Sequence, residues 1–205
     1  MKLAILAASG ATGLILTRQA LERGHTVVAI ARTPARIAVP DHPRLMRVAA
    51  DVRDPASVAD ALRGSEVVLS GLGVAKGDKA GTLTAGARAV ADAHPDRIIW
   101  LGAYGTGPSG QAAGFATRTV LKAMGAEIAD KVTADATVLE AGGTVFQAGP
   151  LSNGPLSPDR RTVGLDDAPK RFFPARVSRQ TVAAAMLDEA ENPRHPGRIA
   201  LPLEH

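Results

Sequence analysis

Small residues at fixed spacing stand near the start of the chain, Ala7-Ala8-Ser9-Gly10-Ala11-Thr12-Gly13. They follow an apolar run, Leu3-Ala4-Ile5-Leu6. They lead at once into a segment with helical apolar spacing at Leu14, Ile15, Leu16, Ala20 and Leu21. A strand, a tight glycine turn and a helix in that order is what a dinucleotide pyrophosphate requires. Gly10 lets the backbone approach the phosphates, and Gly13 lets the helix pack closely on the strand. The start of the helix offers unpaired N–H groups and partial positive charge to the anion. Ser9, Gly10, Ala11, Thr12 and Gly13 are the expected contacts.

A second group follows the next apolar run, Thr26-Val27-Val28-Ala29-Ile30-Ala31. Sites that prefer NAD place an acid there to accept from the ribose 2′-hydroxyl. Here Arg32 and Thr33 follow the run, and no acid occurs until Asp41. A carboxylate would repel a 2′-phosphate, whereas a guanidinium binds it through two hydrogen bonds. Arg32, with Thr33 or Arg36 helping, therefore predicts NADP(H) over NAD(H), against the alternative of a solvated arginine loop. Gly71-Leu72-Gly73 stands at the carboxyl end of a further strand, Glu66–Ser70, where open α/β sheets bind ligands, and is expected to touch the cofactor.

Groups for acid–base chemistry are sparse. Tyr104, the one tyrosine, follows the strand Arg97–Leu101 and could donate a hydrogen bond to a substrate carbonyl or ring nitrogen. A phenol with a pKa of about 10 is a poor unassisted acid at neutral pH, so packing is the competing role. His25, His42, His94 and His195 lack metal-ligand spacing with one another or with a carboxylate, and no metal is expected. No nucleophile–base set appears. The absence of cysteine excludes disulfides, thiolate zinc sites and a cysteine nucleophile.

The elements that must position these residues alternate. A third strand covers Leu45–Val48. Asp54-Pro55 opens a helix that carries Val58 and Leu62 inward and stops at Gly64. A helix is predicted from Leu83 to Ala93, two more over Ala112–Met124 and Ala126–Glu140, and a sixth strand over Thr144–Gln147, ended by Gly149-Pro150. Leu151 to Pro174 reads as an irregular loop, and a loop of that length is usually functional or mobile. Ser178 opens a last helix with Val182, Met186 and Leu187, and Arg198–Leu201 is predicted as a final strand. Strands that are nearly all apolar and alternate with helices predict a Rossmann-type, doubly wound parallel sheet with helices on both faces. It forms a single α/β domain over 1–202. The terminal Leu203-Glu204-His205 reads as a tag remnant and is set aside.

At 205 residues the chain can bury one sizeable core. Its net charge of +4 comes from scattered arginines with no basic run, which suits an anionic cofactor or a solvated surface rather than nucleic acid. The N-terminal apolar stretch is short for a secretory signal and no run is long enough for a bilayer, so a cytoplasmic protein without membrane partners is expected.

On these motifs the chain resembles the atypical short-chain dehydrogenase/reductase family, in the NAD(P)H-binding branch with flavin and biliverdin reductases and NmrA-like sensors. Further marks are Ala31-Arg32-Thr33-Pro34-Ala35-Arg36, Ala50-Asp51-Val52-Arg53-Asp54 and Thr144-Val145-Phe146-Gln147-Ala148-Gly149-Pro150-Leu151. The resemblance implies that Asp51 and Val52 touch the adenine and that Gly102 and Pro150 are cofactor contacts. It departs from the family at Ala7, the usual first glycine, and at Gln147-Ala148, where an Arg-Pro pair is usual. Pro108 replaces the lysine that would complete Tyr-x-x-x-Lys from Tyr104, and Gly102 stands where relatives carry serine. The expected activity is NADPH-dependent reduction of a flavin, quinone or similar conjugated acceptor. Tyr104, Leu151, Asn153 and the loop to Pro174 would flank that acceptor, and Arg160, Arg161, Lys170 and Arg171 would attract an anionic one. The alternatives are a non-catalytic NADP(H) sensor and a nucleotide-sugar epimerase or dehydratase. Oligomeric state is left open.

Overall fold

Continuous apolar runs fold as strands that are covered on both faces. The computed structural model describes residues 1–74, 78–109, 125–169 and 175–204. Its strands are β1 (Lys2–Leu6), β2 (Thr26–Ala31), β3 (Leu45–Ala49), β4 (Val67–Ser70), β5 (Arg97–Ala103), β6 (Thr144–Ala148), β7 (Leu151–Ser152), β8 (Arg161–Gly164), β9 (Val177–Ser178) and β10 (Ile199–Leu203). Eight of them form one sheet in the order β3-β2-β1-β4-β5-β6-β10-β8, and β7 pairs with β9 separately. All pairings in the large sheet are parallel except β10 with β8.

Alternation along each strand divides its apolar residues between two cores. Leu3 and Ile5 pack on the side of α1 (Ala11–Glu22), which brings Leu16 and Leu21, together with Val182 and Leu187 of a C-terminal helix. Ala4 and Leu6 face the other side. There α2 (Pro55–Leu62) brings Val58, α3 (Thr82–Asp92) brings Leu83 and Val90, and α4 (Gly125–Glu140) brings Val138. The C-terminal helix is α5 (Arg179–Glu191). Among the described residues, no helix is long and apolar enough to cross a membrane.

Helix starts follow from local chemistry where the sequence predicted them. Asp54 accepts from the Ser57 N–H ahead of Pro55, and Ser178 accepts from the Thr181 N–H. By contrast, α3 begins after Gly81, which has no side chain to offer. Its cap comes from α4, where the Asp130 carboxylate accepts from the N–H groups of Leu83 (3.1 Å) and Thr84 (2.9 Å) and from the Thr84 hydroxyl (2.6 Å). Burial alone would raise this carboxyl, but the bonds from Thr84 and Leu83 and the charge of Arg53 outweigh it and hold the group below its ordinary value. A lowered folded-state pKa means stability that is present at neutral pH and lost as pH falls through the lowered value. Asp130→Ala should therefore cost about 1–2 kcal/mol in urea denaturation at pH 7, with the gap narrowing in acid. Equal stability at pH 7 would show that water replaces the cap.

Residues 151–169 differ from the irregular loop expected there. They contain β7, β8 and a 3-10 turn at Leu165–Asp167. β8 reads as loop because Arg161-Thr162-Val163-Gly164 has one large apolar residue. It is an edge strand held by backbone pairing, from Ala200 opposite Gly164 to Leu203 opposite Arg161. Leu203 thus lies within the sheet, and Glu204 Oε1 accepts from the Ser178 N–H at 2.9 Å, so both residues set aside above take part in the fold. The helix expected over Ala112–Met124 lies outside the described residues.

Candidate functional site

The strand order reverses between β1 and β4, and open α/β sheets bind ligands in the crevice at such a point. A cleft of about 740 Å³ lies there, over the carboxyl ends of β1 to β6. That is within the range of small-molecule and cofactor sites, roughly 300–1,000 Å³.

The floor is the turn from Ala7 to Thr12. The Gly10 N–H donates to Ala7 O at 2.9 Å, which closes the turn, and the Ala8 N–H donates to Ile30 O at 2.9 Å, which ties it to β2. A Cβ on Gly13 would lie 2.2 Å from Ala7 O, and one on Gly71 would lie 3.1 Å from the Gly13 nitrogen. These close approaches bring the start of α1 down onto β1 and β4. No side chain caps α1 and no acid lies in its first turn, so its N–H groups face the cleft as an anion cradle. The cradle fits a dinucleotide pyrophosphate.

Ala7 takes a left-handed backbone conformation, φ 59°. That costs an L-residue about 1–2 kcal/mol, against the roughly 0.5–1 kcal/mol of extra chain entropy that glycine loses on folding. Ala7→Gly is expected to gain a few tenths to about 1 kcal/mol in urea unfolding. A loss would mean that the Ala7 methyl group packs better than its strain costs.

Of the residues predicted from sequence, Ser9, Gly10, Ala11, Thr12, Arg32, Arg36, Asp51, Val52, Gly71, Leu72, Gly73, Gly102 and Leu151 line the cleft. Gly13, Thr33, Pro150 and Asn153 do not. Gly13 packs behind the turn, and Thr33 precedes the short 3-10 turn Pro34–Arg36. Asn153 acts at one remove, since its Oδ1 accepts from Arg179 Nη1 at 2.7 Å and Arg179 lines the cleft.

Tyr104 is not on the cleft wall. The chain turns after β5, where the Tyr104 N–H donates to Ala148 O at 2.8 Å. The residue lines a small cavity of about 30 Å³ with Gln147, Gly149, Ala168, Pro169 and Leu201, which adjoins the cleft at Gly149. The basic residues expected at the acceptor are also elsewhere. Arg160 pairs with Asp188 of α5 at 3.1 Å, and Arg161 is exposed on the sheet edge. Lys170 and Arg171 lie outside the described residues. Among the described residues, the cleft draws its cations from Arg32, Arg36, Arg53, Lys79, Lys131 and Arg179.

Two arginines shape the β2–β3 end. Arg32 Nη1 meets Asp78 Oδ1 at 3.0 Å, with the arginine side chain 62% exposed. Arg53 Nη2 donates to Lys79 O, Ala80 O and Thr82 Oγ1, which fixes the approach to α3. Asp51 Oδ1 accepts from the Arg53 N–H at 2.9 Å.

The sequence reading missed Asp135. It lies on α4, is 3% exposed and still lines the cleft. Gln147 Nε2 donates to its Oδ2 at 2.8 Å. A Cβ on Gly102 would lie 2.6 Å from the same oxygen, so the carboxyl occupies room that only glycine leaves. Burial pushes this carboxyl up to about 6, against the Gln147 bond and the charge of Lys131, which both act to lower it. One turn earlier, Lys131 pairs with Glu127 at 2.8 Å. A Glu-x-x-x-Lys-x-x-x-Asp helix reads as a solvated charged face, which hides the one acid that points inward. The available signal was Gly102 and Gln147, two departures from the family pattern that meet at this carboxyl.

A family model described as NAD(P)H-binding matches residues 7–193. No curated protein matches the chain in sequence. Solved structures match nearly its whole length. A candidate exported protein of Burkholderia pseudomallei is 26% identical with a TM-score of 0.70, over 98% of each chain. A short-chain dehydrogenase/reductase of Veillonella parvula, solved with NADP, is 18% identical with a TM-score of 0.81, over 99% of this chain and 94% of that one. A candidate NADH-flavin reductase of Streptococcus pneumoniae is 19% identical with a TM-score of 0.78, over 100% of both. At under a quarter identity, the last two show likeness of fold.

Proposed function

The chain belongs to the NAD(P)H-binding family, and on that premise we propose that it is an NADPH-dependent reductase of a flavin, quinone or similar conjugated acceptor. The observation that carries this reading is the composition of the cleft. It has an anion cradle at Ala7–Thr12, arginines at the end of β2, and beyond them the small residues Ala103, Ala148 and Gly149, which leave room for flat rings. When bound, the nicotinamide supplies two electrons and a hydrogen, so the protein has chiefly to bind, align and exclude water. The start of α1 holds the pyrophosphate, Asp51 and Val52 flank the adenine, and Arg32 and Arg36 hold the 2′-phosphate in exchange for Asp78. Leu151 walls the acceptor end, and Lys131 and Arg179 attract an acceptor that carries an anionic group. The Veillonella protein solved with NADP supports the cofactor, and the candidate NADH-flavin reductase of Streptococcus pneumoniae supports a flavin acceptor.

The test is loss of NADPH absorbance with flavins and quinones offered in turn and NADH as control. Rapid loss with one acceptor and a preference for NADPH are expected. Arg32→Glu should lower kcat/KM for NADPH relative to NADH by roughly 10- to 100-fold, the worth of charge-assisted bonds to the phosphate. An unchanged ratio would remove Arg32 from the 2′-phosphate site. The absence of Tyr104, the one tyrosine, from the residues that line the cleft favours a second reading, a non-catalytic NADP(H) sensor. That reading predicts NADPH binding with a flat absorbance trace across the whole panel.

A further inference from the structure

Reducing a conjugated acceptor with a hydrogen and two electrons leaves negative charge on its nitrogen or oxygen, so a proton is needed as well. We propose that Asp135 donates that proton, a catalytic role that rests on the reductase reading above.

Four carboxyl groups line the cleft among the described residues. Asp51 is exposed and Asp78 is ion-paired with Arg32, both toward the β2–β3 end, while Glu127 is exposed and paired with Lys131. Asp135 alone is buried at the ends of β5 and β6, where the acceptor would lie. Gly102 and Gln147 are direct partners in the β5–β6 register, and the carboxyl sits over both. Gly102 makes the space, and Gln147 fixes the orientation by donating to Oδ2. With Oδ2 accepting, the acid proton rides on Oδ1. Gln147 is itself steadied by a longer bond to Thr106 O at 3.4 Å.

Charge near the group is sparse. β6 presents the neutral Gln147, β5 presents Gly102, and the turn after β5 presents Thr106. Packed along α4, α3 turns its Arg88 and Asp92 to solvent. Lys131 is the charge among the described residues that acts on Asp135, and it favours the ionised form. Burial prevails, so the acid form predominates below pH 6 and persists at roughly a tenth of the population at pH 7. That is a serviceable general acid near neutrality.

The step balances. As the acceptor takes two electrons and one hydrogen from NADPH, the Asp135 Oδ1–H bond breaks and its proton passes to the acceptor's nitrogen or oxygen. The products are NADP⁺, the doubly reduced acceptor and an Asp135 carboxylate, which regains a proton from water.

Two measurements on wild type, Asp135→Asn and Asp135→Glu test this. The first, with no acceptor present, is the affinity for NADPH and for NADP⁺ from pH 5 to pH 8. The oxidised ring is cationic and the reduced ring neutral, so ionised Asp135 favours NADP⁺. The affinity ratio should swing with pH around 6 in wild type and stay flat in Asp135→Asn. The second is kcat against pH with whichever flavin or quinone turns over. Wild-type kcat should fall about tenfold per pH unit above 6, while Asp135→Asn should be slower by roughly 100-fold or more at pH 5.5, flat with pH and little changed in KM for NADPH. Asp135→Glu should recover the slope. Asparagine keeps an oxygen for Gln147 and the same volume against Gly102, so a folding defect is not expected. Wild-type rates with an unaltered pH profile in Asp135→Asn would defeat the donor role and leave the reductase reading intact. No turnover by wild type with any acceptor would defeat that reading and the donor role with it.

Discussion

Asp135→Asn is expected to be more stable than the wild type by up to about 3 kcal/mol at pH 8, and by well under about 1 kcal/mol at pH 4. The carboxyl is 3% exposed and titrates at about 6 in the folded protein, against an ordinary value of 3.8. Below both values it is protonated whether the chain is folded or not, and costs nothing. As pH rises from 3.8 to 6, the unfolded chain releases the proton and the folded one does not, so stability falls by about 1.4 kcal/mol per pH unit and then levels. Asparagine cannot ionise and escapes the loss. Urea titrations at the two pH values measure the difference. A wild type that is the more stable at pH 8 would mean that the Gln147 bond to a carboxylate outweighs its burial. A residue that weakens the fold over the range in which it would transfer protons is easier to explain by function than by packing.

Gly13→Ala should weaken NADPH binding about 100-fold and cost roughly 3 kcal/mol of stability. The new methyl group would meet Ala7 O at 2.2 Å, with the Ala7 carbonyl carbon and Ala8 Cα at 2.8 Å. All three are backbone atoms of the turn, so no side chain can swing aside. The start of α1 must lift from β1, and the N–H groups that face the cleft move with it. Gly10→Ala is the internal control for stability. Its Cβ would lie 3.2 Å from the same oxygen, a contact that a shift of a few tenths of an ångström relieves. Fluorescence titration with NADPH and urea unfolding of both variants decide the matter. A Gly13→Ala protein that binds as the wild type does would show that the helix is not held to the strand at that point.

What the sequence made legible is what local chemistry decides. Apolar runs gave the central strands because both faces of the sheet are covered. Asp54 and Ser178 gave helix starts because each cap lies three residues from its partner. Most of the cradle followed because small residues at those spacings have few other uses. The missed features depend on pairs far apart in the chain. Asp135 is buried by a vacancy at Gly102 on another element, and its neighbours on α4 look like an ordinary wet helix. Arg160 looked available to a ligand until folding set it against Asp188. Tyr104 stands one residue beyond a strand that lines the cleft, and the turn taken there carries it to another cavity. β8 carries no apolar pattern because backbone pairing to β10 supports it.

β8 closes one side of the sheet and pairs there with β10, whereas β1 is paired on both sides, with β2 and with β4. An edge strand leaves one row of its backbone groups to solvent, and its pairing can open without breaking the rest of the sheet. Amide hydrogens of β8 and β10 should exchange with solvent sooner than those of β1 and β4. Asn153 and Arg179 directly follow β7 and β9, two-residue strands that pair with each other outside the large sheet, so the acceptor end can loosen and re-form many times while the dinucleotide end stays shut.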